Sequence, residues 1–301
     1  MSPGNAILLG RISPRRLKRL LFVLTLLASL FAACNDNPPA PSPTPAFVDR
    51  PVVEINDGRC LEPEDSEWDG YGQAVDVRGD LMVVGASDWN TDGAGSAYVY
   101  RFSESEQTWQ EEARLLPSGE DGRRMRHLFG AAVAIGDGVI AVGAPGADDP
   151  VYGANTGAVY VFEHLDGRWT ETAKLRSNRP DGNGGQEPLA WLRRGRLRPR
   201  AFGAILALQG NTLAVGGEAS TATVYVYRRD EQGWQEQARI TTPTLPETDL
   251  YMSSLALAGD TLALSALHMP PDQSEVAPFI RGNVAVYLFQ RADDNTWQEQ
   301  F

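Results

Sequence analysis

The segment Asp88-Trp89-Asn90-Thr91-Asp92-Gly93 places side-chain oxygens at alternate positions ahead of a glycine. Calcium takes such ligands, because carboxylate and amide oxygens replace its water and the glycine permits a sharp turn. Asp88, Asn90 and Asp92 are therefore the candidate metal ligands, with calcium as the candidate cofactor. The twelfth position is Val99, so the bidentate glutamate of an EF-hand loop is missing. The same residues equally suit an ordinary turn in which Asp and Asn bond their own backbone. A second acidic pair, Asp148-Asp149, falls in the corresponding loop of the next repeat and suggests a shared acidic rim. Nucleophile-elbow, P-loop, dinucleotide-binding and His-Glu-x-x-His patterns are all missing from the chain, and no catalytic residue is assigned. His127, His164 and His268 are scattered and leave little material for a histidine-built metal centre. Carboxylates are plentiful, which keeps a glycosidase-type pair open without marking any one pair.

Charge adds an address. The 301 residues carry 27 Lys+Arg against 39 Asp+Glu, a net charge of −12. That balance argues against nucleic acid as a partner, since phosphate neutralisation needs a basic face. Residues 1–33 hold Arg11, Arg15, Arg16, Lys18 and Arg19 and no acid, so this stretch is +5 and the remainder −12 − 5 = −17. A basic flank followed by the apolar run Leu20–Ala33 has the layout of a secretory signal peptide. The run is 14 residues long, short of the ~20 that a membrane-spanning helix requires.

The run ends Leu30-Phe31-Ala32-Ala33-Cys34 and resembles a bacterial lipoprotein signal, in which small residues precede a cysteine that is lipidated and becomes the new N-terminus. The resemblance implies lipidation at Cys34 and a lipid anchor to a bacterial membrane, facing the periplasm or the cell exterior. Phe31 departs from the aliphatic residue usual at its place. Residues 34–50 then form a Pro-rich tether whose prolines favour extended polyproline geometry. With Cys34 acylated, Cys60 has no intrachain cysteine partner and reads as a free thiol or an intermolecular link, the free thiol preferred.

Internal repetition decides the fold. The fullest copy runs Phe129-Gly130, Gly136-Asp137, Gly143-Ala144-Pro145, Gly157 to Phe162 and Trp169 to Leu175. Tyr71-Gly72, Gly79-Asp80, Gly85-Ala86-Ser87, Ala97 to Tyr100 and Trp109 to Leu115 hold the same places earlier. Phe202-Gly203, Gly210-Asn211, Val215-Gly216-Gly217, Val224 to Tyr227 and Trp234 to Ile240 hold them later. A degenerate fourth copy keeps Gly259-Asp260, Leu264-Ser265-Ala266, Val284-Ala285-Val286-Tyr287 and Trp297. The tryptophans at 109, 169, 234 and 297 lie 60, 65 and 63 residues apart. Each copy, about 70–115, 128–175, 201–240 and 251–301, reads as four short strands. A Phe-Gly strand of alternating apolar and small residues leads through a Gly-Asp hairpin to the Val-Gly-Ala strand. A β-branched and aromatic strand follows, then a half-solvated outer strand that starts at the tryptophan.

Four-stranded units at this period predict an all-β chain, a β-propeller of four recognisable blades over 51–301, with a sandwich or barrel as runner-up. The copies resemble FG-GAP repeats of the bacterial form, related to the propeller blades of integrin α-subunits. The match spans about residues 70–301. Tyr71 and Ser87 replace Phe and Pro in the first copy, and the fourth has neither Phe-Gly nor Gly-Ala-Pro. Integrin-type blades often carry an Asp-rich calcium hairpin between strands one and two. Here those hairpins are plain Gly-Asp or Gly-Asn turns, so that site is not carried over. Residues Trp297 to Phe301 stop where sister copies continue. Two expectations stay open: Pro51-Val-Val-Glu-Ile55 completes the last blade, or, the preferred one, the chain is a truncated piece of a larger ring.

The basic stretch Arg193 to Arg200, between the second and third copies, reads as a solvated insertion or as a contact for an anionic partner. The functional expectation is a membrane-anchored binding or adhesion module recognising a protein or glycan. The alternatives are a carbohydrate-active hydrolase or lyase with acids in the propeller funnel, and a truncated propeller with little independent function.

Overall fold

Alternating small and large residues separated by tight Gly hairpins dictate antiparallel meanders, and that is the architecture found. A computed structural model describes residues 61, 70–87, 93–119, 127–177 apart from 152 and 154, 202–217, 223–242, 249–269 and 283–300 apart from 294; the side chains of 249–251, 267–269 and 283 are outside the description. Cys34, the tether, Pro51–Ile55, Cys60, Asp88, Asn90, Asp92 and the 193–200 stretch lie outside these residues. The chain divides into Met1–Leu61 and Glu62–Phe301, and every strand among the described residues belongs to the second unit.

That unit is a four-bladed β-propeller. Blade one comprises β1 (Tyr71–Arg78), β2 (Leu81–Ala86), β3 (Ser96–Ser103) and β4 (Thr108–Leu115). Blade two comprises β5 (Ala132–Ile135), β6 (Val139–Ala144), β7 (Ala158–Leu165) and β8 (Arg168–Leu175). Blade three holds β9 (Ile205–Gln209), β10 (Thr212–Gly216), β11 (Thr223–Asp230) and β12 (Gly233–Thr241). Blade four holds β13 (Asp249–Ala258), β14 (Thr261–Met269), β15 (Asn283–Arg291) and β16 (Trp297–Glu299). In every sheet the strands lie side by side in chain order and pair antiparallel.

Most of the hydrophobic core sits between blades, and one further cluster, Val84, Ala86, Tyr98 and Tyr100, belongs to blade one alone. Leu81, Val83, Ala97 and Val99 of blade one share a cluster with Val133, Ile135 and Phe162 of blade two. Val139, Ala141, Val159 and Val161 of blade two meet Leu206, Leu208, Leu213 and Tyr227 of blade three. Ala207, Ala214, Val224 and Val226 of blade three meet Leu255, Leu257, Leu262 and Leu264 of blade four. The first strand of each blade explains this. Its side chains alternate between faces, and the large members (Val133 and Ile135, Leu206 and Leu208, Leu255 and Leu257) point back at the preceding blade. Small residues such as Ala134 and Ala207 point forward, so the next backbone comes close.

The register of the fourth copy differs from the sequence reading. Pairing of Leu262 with Phe289 and Ser265 with Val286 matches that of Leu213 with Tyr227 and Gly216 with Val224. Val286-Tyr287-Leu288-Phe289, not Val284 to Tyr287, therefore takes the place of Val224 to Tyr227. The apolar run Val284–Phe289 is long enough to fit two registers, and the hairpin at Gly259-Asp260 selects the one that buries Phe289.

Candidate functional site

The Phe-Gly and Gly-Ala-Pro residues of neighbouring blades meet. Within a blade the Gly130 amide donates to the Gly143 carbonyl at 3.0 Å, and the Gly203 amide to that of Gly216 at 3.2 Å. Between blades, the Phe129 amide donates to the Ala94 carbonyl of blade one at 2.9 Å, and Gly157 bridges Phe202 in parallel. These contacts bring backbones so close that a Cβ on Gly85 would lie 2.0 Å from the Gly130 carbonyl oxygen, and one on Gly143 1.9 Å from that of Gly203. Glycine in strand two is thus a requirement of blade stacking, not of a turn. At the third junction the same place on Gly216 faces the Met252 thioether instead.

The aromatic residues form a repeated stack. The Phe129 ring meets Tyr160 edge-on at 5.3 Å, Phe202 meets Tyr225 at 5.2 Å and Tyr71 meets Tyr98 at 5.5 Å. On each tyrosine lies a cation from the outer strand: Arg114 over Tyr98 at 5.2 Å, Lys174 over Tyr160 at 4.9 Å and Arg239 over Tyr225 at 5.0 Å. Sequence reasoning missed this pairing. Its signal was present, since a basic residue follows alanine five places after the tryptophan in three copies. Burial raises the Tyr71 and Tyr227 hydroxyl pKa values, so both stay neutral and Tyr71 donates to Tyr100 at 2.8 Å.

A bulge in the outer strand of each of the first three blades leaves one residue unopposed: Glu112 in β4, Thr172 in β8 and Gln237 in β12. Bulges re-aim side chains, and Glu112 reaches Trp169 of blade two, whose indole N–H donates to it at 2.7 Å. Arg101 also pairs with Glu112, and Arg101 holds Asp80 at 2.8 Å. Burial alone would raise the Glu112 pKa, but the Arg101 guanidinium and the Trp169 indole outweigh it and hold the carboxyl below its ordinary value. His164 lies against the Trp169 ring at 5.0 Å and 3.7 Å from Glu112. The second junction carries an analogous tie, Arg229 to Glu163 at 2.5 Å.

The acidic pair of the rim is engaged in shaping its own loop. Asp148 accepts the Asn155 amide at 2.9 Å, and Asp149 accepts the Val151 amide at 2.7 Å and lies 3.3 Å from Arg176. Asp149 and Gly153 also exchange backbone bonds at 2.7 and 2.8 Å, which closes a small turn inside the loop. His127 is buried beside the Tyr160 hydroxyl at 3.4 Å, on a different part of the blade from His164. Among the described residues no three His, Cys, Asp or Glu side chains gather closely enough to hold a metal ion. The candidate ligands Asp88, Asn90 and Asp92 lie outside them. No helix among the described residues is long and apolar enough to cross a membrane.

Topology rather than one cluster marks a candidate surface. In every blade strand two turns into strand three at the same end of the sheet, through residues 87–95, 145–157, 217–222 and 270–282. These connections differ in length and composition, whereas the hairpins between strands one and two stay short. Residues 61–100 and 109–162 match the FG-GAP repeat family. Each matched segment ends on the aromatic of a third strand, Tyr100 or Phe162, which the stack above buries. No curated protein matches the chain.

Proposed function

The chain is an FG-GAP repeat protein, and from that premise we propose that it is a surface-anchored lipoprotein whose β-propeller works as a binding or adhesion module for a protein or glycan. One observation carries the reading: a repeated framework presents four connections, varied in length and composition, at one end of its blades. Stacking consumes the motif residues, so sequence freedom is left in those loops, which is where recognition is built on scaffold folds. Anchoring is supported by the basic and apolar leader, Cys34 and the proline tether that follows. Acyl chains in pairs or more hold a protein stably on a bilayer where one does not.

Replacing the 148–156 segment of the second loop by a short Gly-Ser link, and the other three loops likewise, tests binding. Labelled chain is applied to an array of bacterial and host glycans and to extracellular-matrix proteins. At least one replacement abolishes the binding of the intact chain while the melting temperature holds; binding that survives all four replacements refutes the reading. For the anchor, labelled palmitate enters the chain and Cys34→Ala abolishes incorporation; unchanged incorporation removes it. Calcium at Asp88, Asn90 and Asp92 is decided by chelation, since an unchanged melting temperature rules it out.

A further inference from the structure

We infer that the outer notch of the third junction, between blades three and four, is a carboxylate-binding site, and that its occupant is an acidic side chain of a partner protein. The first junction shows the same site filled from within the chain. There the Glu112 carboxylate pairs with Arg101 of its own blade, accepts the Trp169 indole N–H of the next blade at 2.7 Å and lies 3.7 Å from His164. Strand pairing fixes the equivalent places in the later blades. Arg101, Glu163 and Arg228 each oppose the residue after the tryptophan, and His164, Arg229 and Arg291 each oppose the tryptophan itself. Glu112, Thr172 and Gln237 are the residues at the bulge. The second junction takes its carboxylate from another of these places: Glu163 meets Arg229 at 2.5 Å, with the Thr172 hydroxyl on it at 3.1 Å.

The third junction has the cradle of the first, but blade three supplies no carboxylate to it. Gln237 stands in the place of Glu112, Arg228 in that of Arg101, and Arg291 in that of His164. Trp297 packs on the same apolar cluster as Ala238, the neighbour of Gln237, and Arg228 reaches Asn295 of blade four at 3.4 Å, so the two blades meet here. Among the described residues, Trp297 Nε1 and Arg291 Nη1, both donors, and Gln237 Oε1 are buried without a hydrogen-bond partner. Arg291 gives Nε and Nη2 to Asp260 of its own blade, which leaves the Nη1 edge for the notch. A buried donor without an acceptor costs free energy, and a carboxylate set between an indole N–H and a guanidinium recovers it. Arg228 and Arg291 against Asp260 leave the cradle positive in a chain of net charge −12. Asp230 and Asp293 are exposed at the hairpin turns beyond it, and Glu236 is held by Arg239. Gln237 is part-exposed, so its amide can yield to an incoming group. An acidic side chain is the occupant because that is what the equivalent cradle holds at the first junction. The notch lies at the hairpin end of the blades, opposite the connections between strands two and three, and is independent of the loops proposed for recognition.

Nuclear magnetic resonance of the nitrogen-15-labelled full chain tests this. The Trp297 indole N–H resonance, assigned with Trp297→Phe, is followed while acetyl-Gly-Glu-Gly-amide is added at constant ionic strength. The glutamine analogue of the peptide and free glucuronate are added in parallel. The expected result is a saturable downfield shift with the glutamate peptide and none with its glutamine analogue. Gln237→Glu rebuilds the arrangement of the first junction. It should move the resonance to its bound position without peptide, abolish the titration and raise the melting temperature. Arg291→Gln should weaken binding about tenfold, the scale of one charge-assisted hydrogen bond. The inference is overturned by the lack of a saturable shift or by an equal response to the glutamine peptide. It is also overturned by a Gln237→Glu chain that still titrates or melts lower than the parent. A tighter response to glucuronate than to the peptide overturns the assignment to a protein partner.

Discussion

Gly143→Ala isolates the contact that defines the repeat. Gly143 lies in ordinary strand conformation, so alanine costs nothing in backbone strain, and by restricting the unfolded chain it should stabilise by about 0.5 kcal/mol. Against this, the new methyl carbon would lie 1.9 Å from the Gly203 carbonyl oxygen and 3.0 Å from its carbon. A carbon and a carbonyl oxygen rest at about 3.3 Å, so blades two and three must part locally by roughly 1.4 Å. A gap of that size forfeits about half the dispersion of the atoms facing it, and across a patch worth one buried leucine the loss is about 3 kcal/mol. The Leu206 and Leu208 side chains, which pack on Val139 and Val159, are the ones affected. The expected net destabilisation is therefore about 2–3 kcal/mol, in the overpacking range. Gly216→Ala is the internal control. Its methyl meets the Met252 sulfur at 2.4 Å, and a thioether on three rotatable bonds moves aside for less than ~1 kcal/mol. Urea unfolding followed by tryptophan fluorescence measures both. Equal losses for the two variants, or a Gly143→Ala protein as stable as the parent, would refute close backbone stacking as the reason for the glycine.

Three further outcomes follow from the outer strands. Glu112 has a folded pKa below its unfolded one, so its pairing with Arg101 and Trp169 stabilises the fold above the unfolded value and is lost as pH falls through the folded one. Glu112→Gln should flatten that acid limb in melting curves; an unaltered limb would count against the pairing. Trp169→Phe keeps the ring and deletes the indole N–H bond to Glu112 across the first junction, with an expected cost of about 1 kcal/mol by urea titration. Loss of nothing measurable would assign that bond to the solvated surface. Lys174→Met retains the aliphatic stem over Tyr160 and removes the charge, which should cost about 0.5–1 kcal/mol and respond weakly to salt; a stabilised variant would contradict the stack.

Much of the architecture was legible before any coordinates, because it is written in periodicity. The tryptophan spacing, the Gly-Asp turns and the alternation in Ala-Val-Ala-Ile135 are local signals, and hairpins are local structures. Blade count, strand order and the half-solvated Trp strand followed from them. The fourth copy was read two residues out of register because Val284 to Phe289 is apolar throughout, and only pairing with β14 distinguishes its positions. The acidic pair Asp148-Asp149 suggested a shared acidic rim by residue type. Its use as the acceptor for the Val151 and Asn155 amides depends on how the loop folds back, which composition does not encode.

What the sequence by itself determined, then, is the blade: four antiparallel strands, their turns and their two chemically distinct faces, since each depends on neighbours along the chain. What only the tertiary structure decided is the meaning of the invariable-looking glycines and basic residues, which act between elements tens of residues apart. Gly143 is small because Gly203 arrives from the next blade, and Lys174 lies on Tyr160 because strand pairing sets the two opposite each other. The same reason separates buried Val133 from exposed Val75. The two are alike in sequence, and what differs is the blade that precedes one of them.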